Sequence, residues 1–207
     1  MVSNGEGIIT GDISEEYNSG TAIGLIGIVL AIFALFPTWY YVQAEVSAGE
    51  YATDGYVDIV VIDGWRGVQV YDIKSGGGTV SLASWCIPIG VFALIGFLWS
   101  AVSILRSKRS STRSSMFFRG SIITILPLIA IIGIVVLLPH LLPENASDAV
   151  VGILEKMASS PLGGEASETY GDYLDVKMRW GLGYGSIMLI ASSAIQFLGG
   201  ILERRVE

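Results

Sequence analysis

RSKRSSTRSSMFFR, residues 106–119, decides how the rest of the chain is read. Five cations, Arg106, Lys108, Arg109, Arg113 and Arg119, stand among serines and apolar residues with no acid between them. Uncharged apolar runs flank the segment on both sides, at 81–105 and 120–142. Each is longer than the ~20 residues a helix needs to cross a ~30 Å hydrocarbon layer. A short Lys/Arg-rich loop between two spans stays on the cytoplasmic side. These five residues are therefore expected to determine topology.

Two further apolar runs lie outward of that pair, at 20–42 and 180–202. The 207-residue chain is 52% hydrophobic and 15% charged, with a mean hydropathy of +0.61. Soluble domains carry about 25% charge. The runs lack polar alternation and far exceed the ~10 residues of a barrel strand, which excludes a membrane β-barrel. The expectation is an α-helical membrane protein, a four-transmembrane-helix bundle. A cytoplasmic tail (1–19) precedes a single domain (20–207). Outer loops fall at about 43–80 and 143–179, and the cytoplasmic loop at 106–119. Both termini are then cytoplasmic, in a multi-pass protein of the cell membrane. The first 19 residues are acidic and lack a basic n-region, so the first span is expected to be kept as an anchor.

Charge and cysteine usage narrow the function classes. Net charge is −7, and each outer loop is acidic by about four charges, which excludes nucleic acid as a partner of that face. Cys86 is the one cysteine, so no disulfide closes within the chain and no Cys-x-x-Cys redox pair exists. His140 is the one histidine and makes no metal site alone. Asp172 with Asp175 and Glu165 with Glu168 read as solvated surface charge. Between their flanks the four runs hold no Asp, Glu, Lys or Arg, whereas transport paths and proton relays are marked by such groups. No nucleophile elbow, His-Glu-x-x-His pair or P-loop is present. These patterns predict a non-enzymatic protein without a cofactor.

The outer loops change period from 3.6 to 2. Residues 56–62 (YVDIVVI) and 65–73 (WRGVQVYDI) read as strands joined by Asp63-Gly64, a two-residue hairpin signal. Residues 40–48 supply a third strand and 173–180 a fourth, forming a small extracellular antiparallel sheet. Between them, 145–158 reads as a short outer amphipathic helix, with 159–168 as a flexible link. Asn145-Ala146-Ser147 matches a glycosylation acceptor. Gly20 with Gly24, and Gly181 with Gly185, are small residues one turn apart, a spacing that lets helices pack closely in lipid.

This layout resembles the claudin and peripheral-myelin-protein superfamily. Pro37-Thr38-Trp39 looks like that family's Pro-x-Trp exit from the first span. Gly64-Trp65-Arg66-Gly67 sits near the place of its Trp-Gly-Leu-Trp segment, and Gly183 through Gly200 is similar to its glycine-rich last helix. A Pro-Trp-Tyr-like exit followed by a Gly-Trp segment also resembles four-span prokaryotic membrane proteins. The resemblance implies action through lateral or cell-surface protein contacts. Expected partners are membrane lipids and another membrane protein or a second copy. Trp39, Trp65, Arg66 and Tyr71 are the expected outer contact surface. The alternative is a cation channel or auxiliary transporter subunit whose Asp54, Asp58, Asp63 and Asp72 ring an entrance.

Overall fold

Phe36-Pro37 is where the first apolar run stops being a helix. Proline lacks an N–H and pushes its predecessor towards extended backbone. Thr38-Trp39-Tyr40-Tyr41-Val42 beyond it are β-branched or aromatic, the side chains that fit a pleated surface. In the computed structural model, which describes residues 19–47, 53–72, 78–81, 86–142, 148–170 and 174–205, helix α1 is Ser19–Phe33 and strand β1 is Thr38–Val46. Strands β2 (Val57–Asp63), β3 (Gly67–Asp72) and β4 (Gly78–Ser81) follow. Helix α2 is Cys86–Arg106, and α3 is Ser110–Leu137, extended by a 3-10 turn at Leu138–Leu141 that holds His140. Then come α4 (Asp148–Ser159), β5 (Gly163–Tyr170), β6 (Leu174–Leu182) and α5 (Tyr184–Arg204).

The expected four-helix membrane bundle is overturned. Among the described residues five α-helices accompany a six-stranded antiparallel sheet of order β4-β3-β2-β1-β6-β5. Among the described residues, two helices are long and apolar enough to cross a membrane, Ser110–Leu141 and Tyr184–Arg204; Ser19–Phe33 and Gly90–Arg106 are apolar but shorter. The physical reason is that apolarity alone does not separate a buried strand from a helix. Residues 38–42 go to β1, and Trp180, Gly181 and Leu182 go to β6. The basic segment is not a 14-residue loop either. Only 107–109 link α2 to α3, so Arg113 and Arg119 lie on α3 and Arg106 ends α2. The stretch expected as a flexible link becomes β5. The tail (1–18) and Asn145 lie outside the described residues.

The sheet has one covered face and one open face. On the covered face Tyr40, Val42, Ala166 and Trp180 pack against Val135 of α3 and Ile153 and Met157 of α4. Gly164 lies against the Trp180 ring, where a Cβ would come within 2.8 Å of Cζ2, and Trp180 Nε1 donates to the Ser160 carbonyl at 2.9 Å. Tyr40 is 1% exposed, and its hydroxyl finds no hydrogen-bond partner among the described residues. Burial, aided by the neighbouring Tyr41, pushes its phenol up to about 12.

Helix α5 is the axis on which α1 and α3 pack. A Cβ on Gly199 would come within 2.6 Å of Gly24 Cα, and one on Gly20 within 2.5 Å of the Glu203 amide nitrogen. Side-chain hydrogen bonds add to this backbone contact. Ser192 donates to the Gly27 carbonyl at 2.7 Å, and Ser114 to the Gly200 carbonyl at 2.8 Å. Small residues and hydroxyls replace the hydrophobic effect as the source of helix association where the solvent is itself apolar. Of the second glycine pair, Gly185 begins α5 against Trp39, but Gly181 belongs to β6 and pairs with Tyr41 and Gly163. It is a strand residue, not a helix-packing one.

Candidate functional site: the open sheet face

Asp63 organises the turn that shapes this face. Its carboxylate is 1% exposed and accepts from the backbone N–H of Trp65 (2.9 Å) and of Arg66. Arg66 Nε and Gln69 Nε2 also donate to it, each at 2.9 Å. Hydrogen bonds to a charged group contribute about 1.5–3 kcal/mol each, so the turn is held rigidly. The hairpin is where Asp63-Gly64 predicts it, but the loop is longer than two residues. Asp63 pairs with Gly67, whose φ of +73° closes the loop in the left-handed region that glycine enters without strain.

The knot leaves Arg66 at the rim of a groove. Its side chain is 57% exposed while paired through Nε. The groove, of about 670 Å³, runs between the open sheet face and the start of α5. Tyr41, Gln43 and Tyr71 form its sheet side, with Asp58 and Arg66 at the polar edge and Tyr184 and Ile187 on the helix side. Tyr184 is 81% exposed. Gln43 is fixed from two directions, donating to Asp58 Oδ1 at 2.6 Å and accepting from Arg179 Nε at 2.5 Å. The Arg179 guanidinium also lies 4.2 Å from the centre of the Tyr56 ring, a cation–π geometry. Tyr71 donates to Gln69 Oε1 at 3.3 Å. Aromatic rings, a guanidinium and mixed-sign polar groups on a rigid sheet are the composition of protein-recognition surfaces.

The structure sorts the four expected contact residues. Arg66 and Tyr71 line the groove. Trp65 stacks on Phe36, with ring centres 5.5 Å apart. Trp39 is not a surface residue. It sits in a core cluster with Ala34, Leu35 and Leu189, its Nε1 donating to the Ala34 carbonyl at 2.6 Å. An aromatic after a span reads as interfacial from sequence, but here β1 folds it back onto α5. The aspartates of the channel alternative are spread: Asp63 is enclosed in its turn, Asp58 is tied to Gln43 and Asp54 is exposed. Among the described residues no group of three or more His, Cys, Asp or Glu is placed to hold a metal ion.

Sequence reasoning missed a second polar cluster. At the opposite end of the helices Glu203 is fully buried. It accepts from Arg113 Nε at 2.5 Å and from Thr21 Oγ1 at 2.8 Å, while Ser110 donates to its carbonyl at 2.5 Å. Arg113 is more than a topology signal, since it ties α3 to α5. Residues 90 positions apart leave no local pattern, and the one available signal was an acid beside two arginines at the end of an apolar run.

Neither the scan against protein-family models nor the search of curated proteins finds a match. The claudin resemblance thus gains no support from comparison, and among the described residues two helices, not four, are long and apolar enough to span a membrane.

Proposed function

We propose that this is a membrane-anchored binding protein, without catalytic activity, that engages a polypeptide partner through the open face of its sheet. The observation that carries this reading is the groove between the sheet and α5, with Arg66, Tyr71 and Tyr184 accessible on a scaffold fixed by Asp63. Anchoring rests on α3 and α5, which are long and apolar enough to cross a bilayer. Their basic ends lie together, since Arg113 pairs with Glu203 beside Arg204. Under the positive-inside rule that end and the C-terminus are cytoplasmic, and the sheet faces outward. A cytoplasmic N-terminus follows for the start of α1, which packs beside Glu203.

A photo-crosslinking residue in place of Tyr71 tests the contact role in intact cells. The expected result is one discrete adduct, with another membrane protein or a second copy, that falls at least tenfold with Arg66→Glu. Absence of any adduct, together with cation current from the pure protein in planar bilayers, would favour the channel reading instead. Sidedness is checked in a Cys86→Ala background: Ser115→Cys should react with an impermeant thiol reagent only from the inside and Ser167→Cys only from the outside.

A further inference from the structure

A second cavity, of about 310 Å³, lies among the helices at a distance from the sheet groove. Phe92, Gly96 and Ser100 of α2 form one wall, Ile123 and Thr124 of α3 another, and Gln196 of α5 lies at its base. Binding pockets for small molecules begin at about 300 Å³. Gly96 and Phe92 are both exposed, so the cavity has a lateral mouth along α2. A Cβ added at Gly96 meets nothing within 4 Å.

Gln196 gives this otherwise apolar space a chemical preference. The side chain is 1% exposed, and its Nε2 donates to Thr124 Oγ1 at 3.0 Å and Ser192 Oγ at 3.1 Å. Both hydroxyls already donate elsewhere, Thr124 to the Gly120 carbonyl at 2.8 Å and Ser192 to the Gly27 carbonyl at 2.7 Å. They are left only with lone pairs to offer, so the carboxamide must turn its N–H groups towards them. That fixes Oε1 on the side of Gly120, another residue of the cavity lining. Among the described hydrogen bonds this oxygen accepts none. Among the described residues the Tyr40 hydroxyl is the one fully enclosed polar side-chain atom without a partner, so the carboxamide oxygen keeps a small opening, and that opening is the cavity it lines.

We propose that this cavity binds a single-chain amphiphile carrying a hydroxyl or amide N–H donor. Its chain lies between α2 and the α1–α5–α3 core, and its donor bonds Gln196 Oε1. An unsubstituted hydrocarbon tail fills the same space but leaves the carboxamide oxygen unmet, so the site distinguishes lipid alcohols and amides from plain alkyl chains. At the ~30 Å³ that one water occupies in the liquid, the cavity has room for roughly ten heavy atoms. A ten-carbon alcohol is the probe of choice.

The test uses the full chain in nanodiscs with a diazirine-bearing 1-decanol, crosslinked by light and mapped by mass spectrometry. Adducts are expected within 92–100 of α2 and 120–127 of α3. Unlabelled 1-decanol should compete at least tenfold better than decane. Gly96→Phe, which fills the cavity, should cut labelling at least tenfold, and Gln196→Leu should bring the two competitors to within twofold of each other. Adducts spread along outward residues such as Ile129 and Phe197, or equal competition by decane against the unaltered protein, would overturn the proposal. Competition on the unaltered chain decides the matter even where a variant fails to fold.

Discussion

Helix α5 and helix α2 are both apolar, yet they are held in different ways. Helix α5 is tied on two sides by backbone contact at Gly199, by Ser192 and Gln196, and by the Glu203–Arg113 pair. Helix α2 is held by apolar packing of Phe97, Ala101 and Ile104, while Phe92, Ile95, Leu98 and Trp99 stay exposed. The difference teaches that hydropathy does not report which helix carries the structure. Small and polar residues do, because they alone give a directional contact where the surroundings are as apolar as leucine.

The largest break of that contrast is Gly199→Leu. Its Cβ would stand 2.6 Å from Gly24 Cα and nitrogen, backbone atoms that yield only if the helices part. A loss of about 3 kcal/mol or more, at the upper end of overpacking costs, should appear in denaturant unfolding of the detergent-solubilised chain. Next comes Glu203→Gln, which leaves Arg113 unpaired. Breaking a buried pair costs about 3–5 kcal/mol, and because the Arg113 side chain is 18% exposed about 2–3 kcal/mol is expected. Adding Arg113→Met should restore part of the loss, and no recovery would mean that the pair does not link α3 to α5.

Tyr40→Phe asks what the unpartnered hydroxyl costs the covered sheet face. Removing a hydroxyl without a partner should stabilise the chain by up to ~1 kcal/mol at neutral pH. The fold favours the neutral phenol. The stabilisation tied to the raised pKa is therefore complete below pH 10 and lost as pH rises through about 12. Unfolding midpoints measured from pH 9 to 12 should lose this part of their slope in the variant. The smallest effect belongs to Gly96→Leu. With open space at its Cβ, it should stabilise by less than ~1 kcal/mol through helix propensity, and a destabilisation like that of Gly199→Leu would erase the distinction between the two helices.

Part of the architecture was legible, and the errors have separate causes. The hairpin at Asp63-Gly64 and the amphipathic α4 stand where period and turn chemistry place them. The ends of the apolar runs did not, because Thr38–Val42 and Trp180–Leu182 are as apolar as the helices they adjoin. Strand β5 was hidden because its covered positions are Gly164 and Ala166, small residues set against Trp180, so no alternation of large apolar side chains marks it. Of the site, Arg66 and Tyr71 were legible as aromatic and basic residues in a strand-rich loop. The Asp63 knot, the Arg113–Glu203 pair and the orientation of Gln196 were not, since each depends on partners that only the fold brings together.

Strand β1 starts five residues after α1 ends, and β6 ends two residues before α5 starts. Because β1 pairs with β6 while α1 packs on α5, the two segments make one continuous pair of rails from the Glu203 end to the sheet. A displacement of α5 along α1 would therefore load the β1–β6 ladder, which runs through Tyr41 and Gly181 at the edge of the groove.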